Sequence, residues 1–172
     1  METVIPIFPP HLRVFAAACF AGVDRPEEIR LRAGQPLLLY RGGGEFFWNP
    51  KEESLTKINQ EKTNQENINQ ERITQESINQ EKINQKNIRL MQERGEVYIT
   101  KKQDVTDILS AASTYSLYAF EEEIRSGFLT LFGGHRIGLA GRAVCEGGML
   151  KTLRQISFLN IRIAAEHPIG DL

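Results

Sequence analysis

The sequence predicts an α+β fold: a small mixed domain of β-hairpins and a β-meander, packed with about three helices and interrupted by a low-complexity insertion. Three observations predict it. Apolar and polar residues alternate with period two around Ile29–Leu31 and Ile161–Ile163, the pattern of half-buried strands. Glycine clusters at 42–44, 133–134 and 147–148 punctuate the strand-like runs as turns. Between residues 57 and 87 the chain repeats a polar five-residue unit that no regular element can bury.

The elements follow in chain order. Leu12, Phe15, Ala16, Cys19 and Phe20 fall on one face of a helix that Gly22 can end. In EIRLRAGQPLLLY a strand carrying Ile29 and Leu31 turns at Gly34-Gln35 and returns from Pro36, with Arg30 and Arg32 on the polar face of the hairpin. In the repeat, Ile58, Ile68, Ile73, Ile78, Ile83 and Ile88 mark the period, with Thr63 in one slot. Five residues advance a helix by about 140° beyond a turn, so these isoleucines form no stripe. On a strand an odd period sends them to alternate faces. A pentapeptide β-helix would bury Glu66, Glu71, Glu76 and Glu81, which excludes it. The segment is expected to be looped out, disordered or loosely helical, because closure cost grows only logarithmically with loop length. The domain would then be built from residues 1–48 and 95–172, with 49–94 as the insertion.

After the repeat, Val97–Thr100 is expected as a strand. Asp104 is the expected N-cap of a helix with Val105, Ile108, Leu109 and Ala112 on its apolar face. Ser116 should cap a second helix that faces the core with Leu117, Phe120 and Ile124 and closes at Gly127. FLTL at 128–131 should pair with HRIGLAGRAV through a two-residue primed turn at Gly133-Gly134. Gly147-Gly148 should turn the chain into MLKTL, and Leu159–Ala164 should form a last strand.

Charge and motifs exclude several functions. Twenty-one basic against 22 acidic residues give a net charge of −1, no global reason to bind nucleic acid. No apolar run approaches the ~20 residues needed to span a bilayer. Cys19 and Cys145 do not form a CxxC and are expected as reduced, buried thiols. The histidines His11, His135 and His167 are scattered, and no HExxH, GxSxG or metal-spaced cluster occurs, so no catalytic or metal site is expected. The stretch GGHRIGLAGRAV is neither a P-loop nor a dinucleotide loop, because Leu139 and Ala140 stand where Lys and Ser/Thr are needed and GxGxxG is missing. Gly138-Leu139-Ala140-Gly141 has the GXXG form of KH loops but lies in a strand-like run rather than between helices. Gly133, Gly134, Gly138 and Gly141 are therefore expected to serve geometry, as turn, bulge or close-approach positions.

The order EIRLRAGQPLLL, SLYAFEEEIRSGFLTLFGGHRIGLAGRAV, LKTLRQISFLNIRIA closely resembles the N-terminal region of the stage III sporulation protein AA family of endospore-forming bacteria. The repeat departs from that family. The resemblance implies an ATPase related to the hexameric motors of secretion systems, acting in the mother cell at the membrane facing the forespore and energising a channel. ATP and Mg are implied for the full-length family only. The implied partners are the family's own ATPase domain, further copies in a ring, and membrane proteins of the channel. The family's P-loop lies downstream of the segment matching NIRIA, and none occurs in these 172 residues. The chain is therefore expected to be a truncated, non-enzymatic assembly or regulatory region without a cofactor of its own. A small nucleic-acid-binding module built on the Gly/Arg hairpin, or a remnant without a role, are the alternatives. Arg30, Arg32, His135, Arg136, Arg142 and Arg162 are the residues expected to face a partner or its nucleotide.

Overall fold

The structure, a computed structural model, describes residues 4–58, 86–113 and 121–165. Seven antiparallel strands form one sheet in the order β4-β3-β2-β1-β7-β6-β5. The strands are β1 (Pro26–Arg32), β2 (Leu38–Arg41), β3 (Gly44–Asn49), β4 (Ser54–Lys57), β5 (Phe128–Thr130), β6 (Arg136–Glu146) and β7 (Met149–Arg162). The helices are α1 (Arg13–Phe20), α2 (residues 86–93), α3 (Lys102–Ala112) and α4 (Glu121–Ser126). The α+β class is as the sequence predicts. The sheet continues into the segment assigned to the insertion as far as Lys57, because β4 pairs with β3 through Trp48↔Leu55 and Phe47↔Thr56.

Helices α3 and α4 pack against β7, α3 also against β1, and α1 against β4. The covered face carries Ile29, Leu31, Leu39, Ile137, Leu159 and Ile161, all buried. Leu12 just before α1, and Phe15, Ala16 and Cys19 on it, are buried as the helical period predicts. Phe15 meets Trp48 edge-on at 5.6 Å between ring centroids, and Phe8 at 6.0 Å. Each such side chain is worth about 1.5–3 kcal/mol of apolar burial. The Cys19 thiol lies in this core, and burial pushes its pKa up. Cys145 is exposed, contrary to expectation, since β6 has left the body of the sheet at that point and no described element covers it.

Several elements differ from the sequence reading. Val97–Thr100 is no strand: its one bridge joins Ile99 to Pro36, and Tyr98 donates its N–H to the Trp48 carbonyl. The N-cap of α3 is Lys101, and Asp104 sits at the third helical position, accepting from the Lys101 N–H at 2.7 Å. Asp104 is fully buried and also accepts from the Tyr98 hydroxyl at 2.8 Å, with His11 Nε2 at 2.9 Å from its other oxygen. An acid at the third helical position reaches back to the N-cap backbone N–H, so Asp104 closes the helix start from inside it. Ser116, Leu117 and Phe120 lie outside the described residues, while Ile124 joins the core as expected.

The Gly133-Gly134 turn is a three-residue loop rather than a primed two-residue one. Leu131 and His135 close it (N···O 2.8 Å), with Phe132 inside and both glycines at positive φ. Gly147-Gly148 does form the two-residue turn, between paired Glu146 and Met149. The two predicted strands MLKTL and LNIRIA are one, β7. It runs through a bulge where Gly141 faces Gln155 to Ser157, the register passing from Ala140↔Phe158 to Arg142↔Arg154. Gly141 is a close-approach glycine: an added Cβ would lie 2.7 Å from the Arg154 carbonyl oxygen and 2.9 Å from the Ile156 Cα.

Candidate functional site: the open face of the sheet

A strand that buries one face must show alternate residues on the other. On β1, past the irregularity between Pro26 and Glu28, the buried residues are Ile29 and Leu31, so Glu28, Arg30 and Arg32 point away from the helices. Register carries the same parity across the sheet. Glu28 lies opposite Arg162 on β7 and Tyr40 on β2, and Tyr40 lies opposite Glu45 on β3. Arg162 in turn lies opposite Arg136 on β6, and Arg136 opposite Thr130 on β5. One polar row therefore crosses the sheet: Thr130, Arg136, Arg162, Glu28, Tyr40, Glu45. The next row holds Phe128, Gly138, Asn160 and Arg30, and a third holds Ala140, Phe158 and Arg32.

Glu28 is the hub of this face. Arg30 Nε is hydrogen-bonded to one of its oxygens, and Arg162 Nε lies 3.6 Å from the other. Arg30 also donates to the Tyr40 hydroxyl at 2.9 Å and lies 4.3 Å over the Tyr40 ring. Tyr40 donates to Glu45. Burial, then the Glu45 hydrogen bond and charge, push the Tyr40 pKa up to about 12. The phenol therefore stays a neutral donor, and Arg30 is fixed by three contacts on a pleated platform.

Arg32 lies 5.1 Å over the Phe158 ring and Arg136 5.9 Å over Phe128. Among the described residues neither has a carboxylate partner. Arg136 faces Arg162 directly, and like charges opposite one another are unfavourable by a few tenths of a kcal/mol or more. The face thus carries four arginines against Glu28 and Glu45 and is backed by aromatic rings. That chemistry suits carboxylates or phosphates from a partner.

Of the six residues the sequence put forward, four come together here: Arg30, Arg32, Arg136 and Arg162. Arg142 lies elsewhere, on the part of β6 beyond the Gly141 bulge. His135 is also apart, 6% exposed, its Nδ1 accepting from the Ala164 N–H at 3.0 Å. Burial, with the nearby Arg25 charge, lowers its pKa. It is a neutral closing residue for the 131–135 loop. The glycines sit where geometry requires them, with Gly138 in the row between Phe128 and Asn160. Glu28, Tyr40 and Glu45 were missed, although Glu28 stands two residues before Arg30 and shares its parity. No group of three or more metal-ligating side chains occurs among the described residues, and no helix there is long and apolar enough to cross a membrane.

The model of the family described as "Sporulation stage III, protein AA" matches residues 51–170. The chain belongs to the stage III sporulation protein AA family. Stage III sporulation protein AA of Bacillus subtilis (strain 168) is 44% identical over 82 residues, covering 46% of this chain and 27% of that protein. The chain thus spans about a quarter of the length of the curated relative it matches. No solved structure matches it. The stage III sporulation protein AA match includes Arg136 and Arg162 on the open face, while Arg30 and Arg32 precede it.

Proposed function

We propose that this chain is the assembly and regulatory domain of a stage III sporulation protein AA-type ATPase, itself non-catalytic, and that the open face of its sheet docks the motor domain. The observation that carries the reading is the arginine array: Arg30, Arg32, Arg136 and Arg162 share one sheet face that no described helix covers, with Glu28 and Glu45 as its carboxylates. Guanidinium groups on rigid strands present fixed donor forks, which suit the phosphates of a nucleotide held next door or an acidic surface around it. In this reading ATP and Mg belong to the motor domain, copies assemble in a ring, and the ring energises a channel from mother cell to forespore at the membrane between them.

The test is co-purification of this chain with a separately produced motor domain from a full-length family member. Binding should weaken with salt and be lost with Arg136→Glu. Salt-insensitive binding, or binding unchanged by Arg136→Glu, would sink the docking assignment. A second reading is favoured by the rings of Phe128 and Phe158 under arginines, which could stack bases of single-stranded RNA. Salt-dependent RNA retention by the chain alone would support that reading instead.

A further inference from the structure

Strands β6 and β7 pair along their whole length, from Arg136↔Arg162 to Glu146↔Met149. Their outer neighbours stop early. β5 covers β6 only over 136–138, and β1 covers β7 only over 158–162. Beyond the Gly141 bulge the two strands therefore continue as a two-stranded ribbon with no described strand on either edge. A ribbon of this kind is marginal unaided.

At its base the ribbon carries an unfavourable arrangement. Arg142 and Arg154 are direct cross-strand partners, so both side chains leave the same face. They line one shallow pocket of about 390 Å³ together with Ala143, Val144 and Gln155. Among the described residues neither arginine has an ion-pair or hydrogen-bond partner. The ribbon's own acid, Glu146, is paired with Lys151. Gln155, beside Arg154 in the pocket, has φ +48°, a left-handed conformation that is uncommon outside glycine. A strained backbone that holds two like charges face to face is the kind of outlier that marks a ligand site.

We infer that the Arg142–Arg154 pair, beyond the Gly141 bulge from the open-face rows, is an anion site that takes a phosphoryl group. A single carboxylate saturates one guanidinium fork. A tetrahedral phosphate offers enough oxygens for both arginines and for the Gln155 amide. A bound phosphate would also cancel the repulsion across the ribbon and so order it. The phosphate could come from a soluble phosphate ester or from a lipid headgroup. Met149 (75% exposed) and Leu150 near the ribbon tip fit either source.

The experiment is thermal unfolding of the full chain in sodium phosphate and in sodium chloride of equal ionic strength. It is run beside cosedimentation with phosphatidylcholine vesicles with or without phosphatidylglycerol. Wild type, Arg142→Gln, Arg154→Gln and a surface control, Arg94→Gln, are compared. The general stabilisation by phosphate salts is common to all four proteins and cancels in the comparison. Wild type and Arg94→Gln should gain an extra melting-temperature increment in phosphate that both ribbon variants lack, with phosphate affinity falling about tenfold or more. In chloride, Arg154→Gln should be at least as stable as wild type, because it removes the repulsion. Phosphate protection assigns the site to soluble phosphates, and anionic-vesicle binding lost in the ribbon variants assigns it to headgroups. Protection that survives in both ribbon variants, or neither effect in wild type, overturns the inference.

Discussion

Replacing Gly141 by Ala tests the ribbon geometry with one methyl group. Gly141 is not at positive φ, so alanine meets no intrinsic backbone penalty there. In such a position Gly→Ala ordinarily stabilises by about 0.4–1 kcal/mol through the unfolded chain. The contacts reverse the sign. The new Cβ would stand 2.7 Å from the Arg154 carbonyl oxygen, 2.9 Å from the Ile156 Cα and 3.1 Å from the Ile156 N. Carbon atoms prefer roughly 3.5–4.0 Å, so β7 must retreat by on the order of half an ångström or more, and all three obstacles are backbone. Overpacking of this kind costs about 1–3 kcal/mol, and the net loss should be about 1–2 kcal/mol. For a chain of this size that lowers Tm by about 2–8 °C. Amides of Ala143 and Leu153, beyond the bulge, should lose hydrogen-exchange protection first. Gly138→Ala is the control, because its Cβ would be 3.7 Å from the Asn160 Cβ, an ordinary contact. A G141A protein as stable as G138A, with unchanged exchange at 143 and 153, would refute the reasoning.

Three further outcomes are expected. Asp104→Ala removes the buried carboxylate that accepts from the half-buried Tyr98 hydroxyl and the Lys101 N–H; it should cost about 2–4 kcal/mol by urea unfolding, and a loss under 1 kcal/mol would contradict the role of these hydrogen bonds. His135 has a folded pKa below its unfolded value of 6.5, so the unfolded chain binds the proton more readily; stability is complete above the unfolded pKa and falls as pH drops below it. His135→Gln should flatten that acid limb relative to wild type, and parallel limbs would show that the imidazole does not titrate as placed. Under native conditions a thiol reagent should modify Cys145 quickly and Cys19 only on unfolding; two fast thiols would mean that α1 does not cover Cys19.

The legible parts of this protein were those where one period holds over several residues. Ile29 and Leu31 on β1, and Phe15, Ala16 and Cys19 on α1, are buried as their spacing requires. The alternation around Arg30, Arg32 and Arg162 also placed those side chains correctly, away from the helices. Sheet order was hidden, because β1 and β7 are joined by register across more than a hundred residues and no local pattern encodes that pairing. Trp48 and Leu55 lie in GEFFWN and SLTK, which lack clean alternation; β3 and β4 are strands because a hairpin at the sheet edge supplies their hydrogen bonds. The strand expected at 97–100 failed because only Ile99 finds a bridge partner. His135 was expected to face a partner because the sequence shows the glycines and arginine beside it and not the Ala164 N–H that captures its ring. Arg154 went unnoticed since the bulge that sets it opposite Arg142 depends on the tight contact at Gly141.

The measurement that bears most directly on the account is ATP turnover by a full-length family member carrying alanine at the positions aligned with Arg136 and Arg162, both inside the family match. If the open face docks the motor domain, the double substitution should reduce turnover about tenfold or more, each charged hydrogen bond being worth about 1.5–3 kcal/mol, while alanine at the position aligned with exposed Arg94 leaves it unchanged. Turnover and assembly at the wild-type level in the double variant would contradict the docking face.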